Sequence, residues 1–497
     1  MVIGIDVGTA YSVGAYLDRC AIPQTLKNRE GSSFTPSVVL FNKEHQVTVG
    51  DKAKRNMLCC AKKVIAGPGR YMGKNTILQE HNGIQYSSEM ISGFIIKKIL
   101  QDASNTLEER ITEAVITAPV YFSDVQRTAM ERAAKIAGIS LVGILNEAAA
   151  AAWYYIHEHN IQGKNLLVYD LGGGSLKITV LCVIDKTQIE VVASDRLWKA
   201  SGRIFDQFIV DYVRKAIEED CGIDWEDDAY ITELQELYIK AEEAKIQLSS
   251  RPTAAITLQV AGVTKEILLT REVFEHMIEN TCKSAERKIV ETVEAAALKL
   301  EDIDAILLAG SSCSIPYIRQ KIQDLTGKTP ERAENPGVVA AMGAALYAGM
   351  HSRENFIQRQ EQICDQSIGV MVYTDEYHPK NEVIVPRNSM LPMEGQRLFR
   401  TIKDNQSKLK LVITEGEYSQ LADVTMIDKL EIELPAGISK DSLIEVNIRL
   451  ENRQLIYIYV KIPDIGFKQE HQIERAIGMD DDSVQGMINV LRGYEVI

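Results

Sequence analysis

The stretch that decides the fold is Val2-Ile3-Gly4-Ile5-Asp6-Val7-Gly8-Thr9-Ala10-Tyr11-Ser12, in which an apolar run ends in a carboxylate, a glycine and a hydroxyl. Apolar residues resume over 13–17, which predicts two strands joined by a tight turn at Asp6, Gly8 and Thr9. Glycine lets backbone N–H groups approach an anion closely, and a neighbouring carboxylate can hold a hydrated divalent cation. A simple hairpin without a ligand gives the same pattern.

A second copy of this pattern favours the ligand-binding interpretation. The stretch Asn165-Leu166-Leu167-Val168-Tyr169-Asp170-Leu171-Gly172-Gly173-Gly174-Ser175 again runs from an apolar strand to Asp, glycine and a hydroxyl, and a strand pattern follows over 176–183. Two such turns predict two similar half-domains that face each other and each give one loop to a polyphosphate.

Composition restricts the class of protein. The chain has 497 residues, 45% of them apolar, with a net charge of −14 and a pI of about 5.3. This acidity argues against a nucleic-acid partner or an anionic membrane surface. The eight cysteines form no metal-ligand pattern, the N-terminus lacks a targeting segment, and no apolar run reaches the roughly 18 residues of a membrane helix. We therefore expect a soluble, cytoplasmic protein.

The chain divides into regions of different pattern. Strands and helices alternate up to about residue 350, with a helix predicted over 51–65, which indicates an α/β region. The polar stretch 354–366 resembles a linker. Residues 367–466 contain many short alternating segments, which predict an all-β sandwich or a partly open barrel. A short helical segment is expected within 467–497.

Several short motifs of this sequence occur in the order that is typical of one family. They are Gly4-Ile5-Asp6-Val7-Gly8-Thr9, Ala118-Pro119-Val120-Tyr121-Phe122 with Gln126-Arg127, Asn146-Glu147, Asp170-Leu171-Gly172-Gly173-Gly174, Asn335-Pro336 with Gly343-Ala344-Ala345, Pro386-Arg387-Asn388, Asp404-Asn405-Gln406 and Glu415-Gly416-Glu417. On these motifs the chain resembles the 70-kDa heat-shock chaperone family, DnaK-like, over essentially its whole length.

The resemblance implies a domain order and a function. It implies an α/β actin-like (ribonuclease H-like, duplicated) nucleotide-binding domain over 1–353, a linker over 354–366, and a β-sandwich over 367–466 that binds unfolded or extended apolar peptide segments. ATP binding and hydrolysis would control peptide binding, with J-domain proteins and nucleotide exchange factors as partners. A helical lid normally follows, and the about 30 residues after 466 are too few to form one. Fast peptide exchange would result.

The resemblance also assigns roles at the phosphates of ATP or ADP. Asp6 and Asp170 would hold Mg²⁺ through its waters, and Glu147 would bind a metal water or orient the nucleophile. Hydroxyls for phosphate or the attacking water would come from Thr9 and Ser175. Backbone N–H groups of Gly8, Thr9, Gly173 and Gly174 would contact the β- and γ-phosphates. The further nucleotide-binding residues near these turns would be Ala10, Tyr11, Gly172, Gly202 and Arg203.

Further residues are assigned to the nucleoside and to signalling between domains. Glu242, Lys245 and Ser249 share one helix face because they are three, four and seven residues apart. Across the nucleoside would lie Gly310, Ser311, Ser312 and Ser314. Pro119 and Arg127 match the residues that, in this family, relay the nucleotide state to the substrate domain. A proline that ends a strand and a surface arginine without such a role would give the same sequence.

The departures from the family pattern lie at positions that the resemblance assigns to catalysis and to adenine binding. Gly69 stands where the family has its catalytic lysine, Lys177 replaces an acid, and Ile246 and Ser314 replace two arginines that would sandwich adenine. We expect Lys177 or Arg203 to supply a cation near the phosphates. Loss of both cation–π contacts, about 1–2 kcal/mol each, predicts weak adenine binding and slow hydrolysis.

Two other classes of protein compete with a divergent, lidless chaperone. A pseudo-ATPase or nucleotide-binding scaffold that docks one dedicated partner would also explain the altered catalytic positions. A sugar kinase or filament protein of the actin-like superfamily would share the glycine turns, but the β-rich region after residue 366 argues against both.

Overall fold

A computed structural model describes all residues except 44, 75, 123, 160–163, 185–188, 351–363, 365–366, 374–378, 388, 417–423, 452–454 and 475–480. The chain forms two compact units. Unit 1 comprises Met1–Val120, Ala129–Gln358 and Met479–Ile497, and unit 2 comprises Tyr121–Thr128 and Arg359–Gly478. No helix among the described residues is both long and apolar enough to cross a membrane.

The first third of the chain contains a sheet built around its opening strand. The elements are β1 Val2–Val7, β2 Tyr11–Leu17, β3 Pro23–Thr25, β4 Thr35–Pro36, β5 Val38–Phe41, β6 Gln46–Val49, α1 Asp51–Lys54, β7 Val64–Ala66, β8 Gln79–His81, β9 Ile84–Tyr86, α2 Ser88–Leu107, β10 Glu113–Ala118, α3 Asp124–Ala137, β11 Ser140–Asn146 and α4 Glu147–His159. The described strands of this sheet run in the order β11-β10-β1-β2-β3. Strand β1 pairs antiparallel with β2 and parallel with β10.

The next part of unit 1 repeats this pairing. Its elements are β12 Asn165–Leu171, β13 Leu176–Val183, β14 Ile189–Leu197, α5 Gly202–Cys221, α6 Ile231–Leu248, β15 Thr253–Val260, β16 Val263–Thr270, α7 Arg271–Ala295, β17 Ala305–Ala309, α8 Pro316–Thr326, β18 Glu331–Arg332 and α9 Val339–Met350. Strand β12 pairs antiparallel with β13 and parallel with β17. Asp6 and Asp170 are each the penultimate residue of the strand that holds this central position.

The predicted helix over 51–65 is wrong beyond its first turn. Only Asp51–Lys54 is α-helical, a single 3₁₀ turn covers Ala61–Lys63, and Val64–Ala66 forms β7. Strand β7 pairs antiparallel with β5. Its β-branched residues are stabilised more by this strand pairing than by a helix. Tertiary contacts therefore override the local helix propensity.

Unit 2 consists largely of strands. They are β19 Ile368–Tyr373, β20 Pro379–Val385, β21 Met393–Arg400, β22 Lys408–Glu415, β23 Thr425–Glu433, β24 Leu443–Leu450, β25 Leu455–Ile462 and β26 Phe467–Glu474. The described strands form two antiparallel sheets, β20-β19-β22-β23 and β21-β24-β25-β26. Every second residue of β25 is buried, as the period of a strand requires. Both sheets contribute to one hydrophobic core, and the mixed α/β class predicted for the chain is confirmed.

The C-terminal region contains the short helix predicted within 467–497, and it also contains two strands that were not predicted. Residues Phe467–Glu474 form β26, which pairs with β25 along its length. Helix α10, Asp481–Arg492, follows, and β27, Glu495–Val496, pairs parallel with β6 of unit 1. The prediction missed β26 because few apolar residues occur at its alternate positions. It missed β27 because two residues are too few to show a periodic pattern.

Tyr494 anchors this last segment within unit 1. Its hydroxyl shares a hydrogen bond with the Tyr86 hydroxyl at 2.7 Å, and its ring meets Phe94 edge-on at 5.3 Å between centroids. Lys97 Nζ donates to the carbonyls of Leu491 at 2.7 Å and Tyr494 at 2.9 Å. A cation at the last carbonyls of a helix also offsets its dipole.

Replacing this buried ring should destabilise the protein. The Tyr494→Ala variant loses the ring contacts and leaves the Tyr86 hydroxyl without this partner, so we expect a loss of about 3 kcal/mol or more in the free energy of unfolding. Urea denaturation followed by circular dichroism measures it. The neighbouring Glu495→Ala variant removes an exposed carboxylate that accepts a hydrogen bond from Gln46 and should change stability by less than about 0.5 kcal/mol. Equal effects of the two variants would contradict the anchoring role.

Candidate functional site

The two glycine turns face each other in unit 1. A Cβ atom added to Gly174 would lie 2.9 Å from Thr9 Oγ1, and one added to Gly173 would lie 2.3 Å from Ala10 Cβ. Such distances leave no room for a side chain, so glycine is required at both positions. The two strand–turn–strand stretches that the sequence singled out are therefore neighbours in space, with their backbones next to each other.

The start of helix α5 completes this arrangement. Gly202 N–H donates to the Gly172 carbonyl at 2.9 Å, and Arg203 N–H donates to the Gly173 carbonyl at 3.4 Å. The Arg203 guanidinium reaches the other turn, where Nη2 donates to the Thr9 carbonyl at 3.0 Å. Burial, followed by the nearby charge of Arg70, lowers the pKa of Arg203. Arg203 thus connects both turns.

The position predicted to have lost the catalytic lysine lies in the 3₁₀ turn Pro68–Tyr71. A Cβ added to Gly67, just before this turn, would lie 3.5 Å from Arg203 Nη1 and 2.9 Å from the Thr9 carbonyl oxygen. A Cβ added to Gly69 itself would meet no atom within 4 Å. A guanidinium from α5 therefore reaches the segment from which a lysine side chain is missing.

Three carboxylates lie beside the turns. Asp6 and Asp170 stand near the ends of β1 and β12, and Glu147 is the first residue of α4. Thr117, on the neighbouring strand β10, donates from Oγ1 to Asp6 Oδ1 at 2.6 Å. Burial raises the pKa of Asp6, and the Asp170 charge acts in the same direction.

Lys177 lies among these carboxylates. It stands directly opposite Asp170 in the pairing of β12 with β13. Its Nζ donates to Asp170 Oδ2 at 3.0 Å and forms a second, closer ion pair with Glu147 Oε2. Burial raises the pKa of Glu147 to about 7, although the Lys177 charge opposes this shift. The same charge also acts on Asp6.

This arrangement does not fit the divalent cation that the resemblance implies. Within the described part of the chain, no three or more His, Cys, Asp or Glu side chains converge as a metal site. Two of the carboxylates assigned to Mg²⁺, Asp170 and Glu147, hold the Lys177 ammonium instead. Because like charges repel strongly where they are partly buried, an ammonium at this place opposes a second cation.

On the predicted nucleoside side, Tyr11 contacts helix α6. Tyr11 Oη donates to Glu242 Oε1 at 2.7 Å, and Lys54 Nζ donates to Tyr11 Oη at 2.5 Å and also pairs with Glu242. Burial acts to raise the pKa of Glu242, but the charges of Lys54 and Lys245 outweigh it, so this pKa lies below its usual value. Lys54 was not among the predicted site residues.

Lys245 is buried one turn further along α6. Its Nζ pairs with Asp206 Oδ1 at 2.6 Å and donates to the Gly202 carbonyl at 3.0 Å. A Cβ added to Gly202 would lie 2.7 Å from Ser312 Oγ and 3.3 Å from Lys245 Nζ. Gly202, Lys245 and Ser312, which are far apart in sequence, therefore lie together in the folded chain.

The remaining predicted residues occupy less direct positions. Ser249 donates from Oγ to the Lys245 carbonyl at 3.4 Å. Gly310 has a φ of +81°, and a Cβ there would lie 2.7 Å from Asp170 Oδ1. Ser311 and Ser314 are the first and last residues of one 3₁₀ turn. Ser175 is buried between the second turn and β13.

The two predicted relay residues lie in different units. Pro119 is buried directly after β10, and Arg127 donates from Nε to the Phe122 carbonyl at 3.3 Å on helix α3. Three partners of site residues escaped the sequence analysis: Thr117, Lys54 and Asp206. None of the three left a signal in the sequence, because each belongs to an element distant along the chain from its partner.

Comparison with known proteins shows the family to which this chain belongs. A family model described as Hsp70 protein matches residues 2–80 and 73–495. The chain therefore belongs to the Hsp70 family.

Among its relatives, the chain is 31% identical over 508 aligned positions to the chaperone protein DnaK of Thermosipho melanesiensis, across 99% of this chain and 83% of that protein. It is 30% identical to the DnaK of Thermosipho africanus, with the same coverage, and to that of Thermotoga petrophila across 99% and 84%. The predicted family is confirmed. The Hsp70-type chaperone function and the ATPase class predicted with it follow from membership of this family.

Removing the buried Lys245 ammonium should destabilise the site. In the Lys245→Met variant Asp206 keeps a buried carboxylate without its cation, so we expect unfolding to become easier by about 3 kcal/mol or more. The control is Lys240→Met on the same helix, where an exposed pair with Glu236 contributes only about 0.3–0.5 kcal/mol. Urea denaturation of both variants provides the measurement. Similar midpoints would show that the Lys245–Asp206 pair does not hold the site together.

Proposed function

We propose that this Hsp70-family chain holds ATP or ADP between its two glycine turns and that the nucleotide controls binding of extended apolar peptides by unit 2. One observation carries the proposal: two turns on equivalently paired strands face each other, with Gly174 against Thr9. The repeated pairing supports a duplicated, actin-like (ribonuclease H-like) nucleotide-binding domain. The shared core of the two sheets supports a β-sandwich in unit 2.

The side chains around the turns suggest how the nucleotide is bound. The backbones of Gly8, Thr9, Gly173 and Gly174 would contact phosphate oxygens, because glycine permits close approach to an anion. The Arg203 guanidinium, which donates to the Thr9 carbonyl of the first turn, is the candidate for a direct contact with a phosphate. On the other side, Glu242, Lys245 and Ser312 would line the nucleoside.

We expect slow ATP hydrolysis because of the residues at the catalytic and adenine-stacking positions. Gly69 carries no side chain that could reach the phosphates. Ile246, at one adenine-stacking position, is 60% exposed and cannot stack as a cation. The loss of two cation–π contacts weakens adenine binding by about 1–2 kcal/mol each.

Arginine at position 203 is the first residue to test. The Arg203→Met variant should bind ADP about tenfold more weakly or worse, because a buried cation–phosphate contact is lost. Isothermal titration calorimetry measures the affinity. Arg214→Met, on the same helix, removes only an exposed pair with Glu226 and should bind ADP like the unmodified chain. Unchanged affinity in Arg203→Met would remove this residue from the proposal.

A pseudo-ATPase scaffold that docks one dedicated partner is the second candidate function. The observation that favours it is the ammonium of Lys177 among the carboxylates to which the chemistry is assigned. Single-turnover hydrolysis of radiolabelled ATP separates the two functions. A slow single turnover supports the chaperone cycle, bound but unhydrolysed ATP supports the scaffold, and turnover at the rate of a DnaK relative measured in parallel contradicts slow hydrolysis.

Peptide binding is assigned to unit 2. Antiparallel sheets present edge strands to which an extended peptide can add by backbone hydrogen bonds, with side-chain pockets giving specificity. At the end of β21, Leu398 and Ile402 are 58% and 67% exposed, which makes them the two most exposed large apolar side chains among the described residues of unit 2. We propose that these two residues contact the peptide. J-domain and nucleotide-exchange partners and a cytoplasmic location stay predictions.

A fluorescent apolar peptide tests this assignment. We expect the full chain to bind it with different affinities in the presence of ATP and ADP, as measured by fluorescence anisotropy. The Leu398→Ser variant should bind about tenfold more weakly, because about 1.5 kcal/mol of apolar burial is lost. Ile465→Ser removes an equally large exposed apolar side chain from a different turn of unit 2 and serves as the control. Equal losses in both variants would contradict a peptide site at β21.

A further inference from the structure

The position of Lys177 has a consequence for the metal requirement of this site. Lys177 and Asp170 form a cross-strand pair, so the pairing of β12 with β13 fixes the ammonium beside the Asp170 carboxylate. Glu147, from the start of α4, approaches the same ammonium. The side chains of Lys177, Asp170 and Glu147 are 19%, 16% and 9% exposed, so water screens these charges only in part.

The carboxylates at this place need a cation. Asp6, Asp170 and Glu147 are close enough for their charges to act on one another. Buried carboxylates that share a site are stabilised in their charged form by a counter-charge. In most sites of this kind a metal ion supplies that charge. Here a lysine supplies it, and it is covalently attached at the sheet position opposite one of the carboxylates.

We propose that the Lys177 ammonium takes the place of the divalent cation, so that this chain binds ADP without Mg²⁺. The inference rests on the proposed nucleotide site. It goes beyond that site because it assigns a new source to the positive charge between the carboxylates and the phosphates. A metal ion entering the same place would meet the ammonium at short range, and the repulsion would exclude it.

An ammonium and a metal ion differ in how they respond to chelation. Mg²⁺ binds reversibly and is removed by EDTA, whereas Lys177 remains. ADP binding should therefore be the same with and without free Mg²⁺ in the unmodified chain. A lysine that served only to balance the carboxylates would stabilise the fold but would leave ADP binding dependent on Mg²⁺.

The experiment is a calorimetric titration of the full chain with ADP in excess Mg²⁺ and in EDTA. We expect the two dissociation constants of the unmodified chain to agree within about threefold. In the Lys177→Asp variant, chelation should weaken ADP binding about tenfold or more, because a carboxylate at this position requires a metal ion. Lys177→Gln, a neutral residue of similar length, provides a second test if four neighbouring carboxylates prevent folding, and it should also gain dependence on Mg²⁺.

A matched lysine controls for the loss of an ion-paired ammonium. Lys288, on helix α7, is 23% exposed and pairs with Asp195 at 3.1 Å and Glu291 at 2.6 Å. The Lys288→Met variant should bind ADP equally in both buffers. A change of Mg²⁺ dependence in this variant would overturn the assignment to position 177.

The outcomes separate this inference from the proposed function. If the unmodified chain binds ADP in Mg²⁺ and loses it in EDTA, the role of Lys177 is overturned while the nucleotide site stands. If the unmodified chain binds ADP in neither buffer, the nucleotide site itself is overturned. Equal binding in both buffers, together with new Mg²⁺ dependence in Lys177→Asp or Lys177→Gln, supports the inference.

Discussion

The ion pairs of Lys177 are the constraint on which the centre of unit 1 depends. They join the adjacent strands β12 and β13 to the first residue of α4, at Asp170 and Glu147. Removing one partner of a buried pair costs about 3–5 kcal/mol because the other charge remains without compensation. The second glycine turn lies between Asp170 and Lys177 in sequence, so its position depends on this ion pair.

The sequence predicted the fold wherever a pattern was long enough to have a period. The strand–turn–strand stretches at residues 2–17 and 165–183 have clear apolar runs bounded by glycine, and both formed as expected. The region 51–65 and strand β27 were not predicted. Their structure depends on pairing with β5 and β6, partners that no local pattern reveals.

The site was predictable at the level of turns and less so at the level of side-chain partners. Glycine at 173 and 174 follows from the close approach of two backbones, which the repeated motif already implied. The partners Lys54 and Asp206 come from elements distant in sequence, so only the folded chain brings them to Glu242 and Lys245. The sequence singled out Lys177 beside the second turn, but its ion pairs with Glu147 and Asp170 required the structure.

Strand β27 changes the connectivity of the molecule. Because residues 479–497 belong to unit 1, the segment Arg359–Gly478 of unit 2 is joined covalently to unit 1 at both ends. The long segment of unit 2 is in this sense an insertion between two segments of unit 1, while unit 2 also contains Tyr121–Thr128. A single proteolytic cut between residues 350 and 367 would leave the two fragments associated. The parallel pairing of β27 with β6 and the Tyr494 contacts beside it would hold the C-terminal fragment to unit 1.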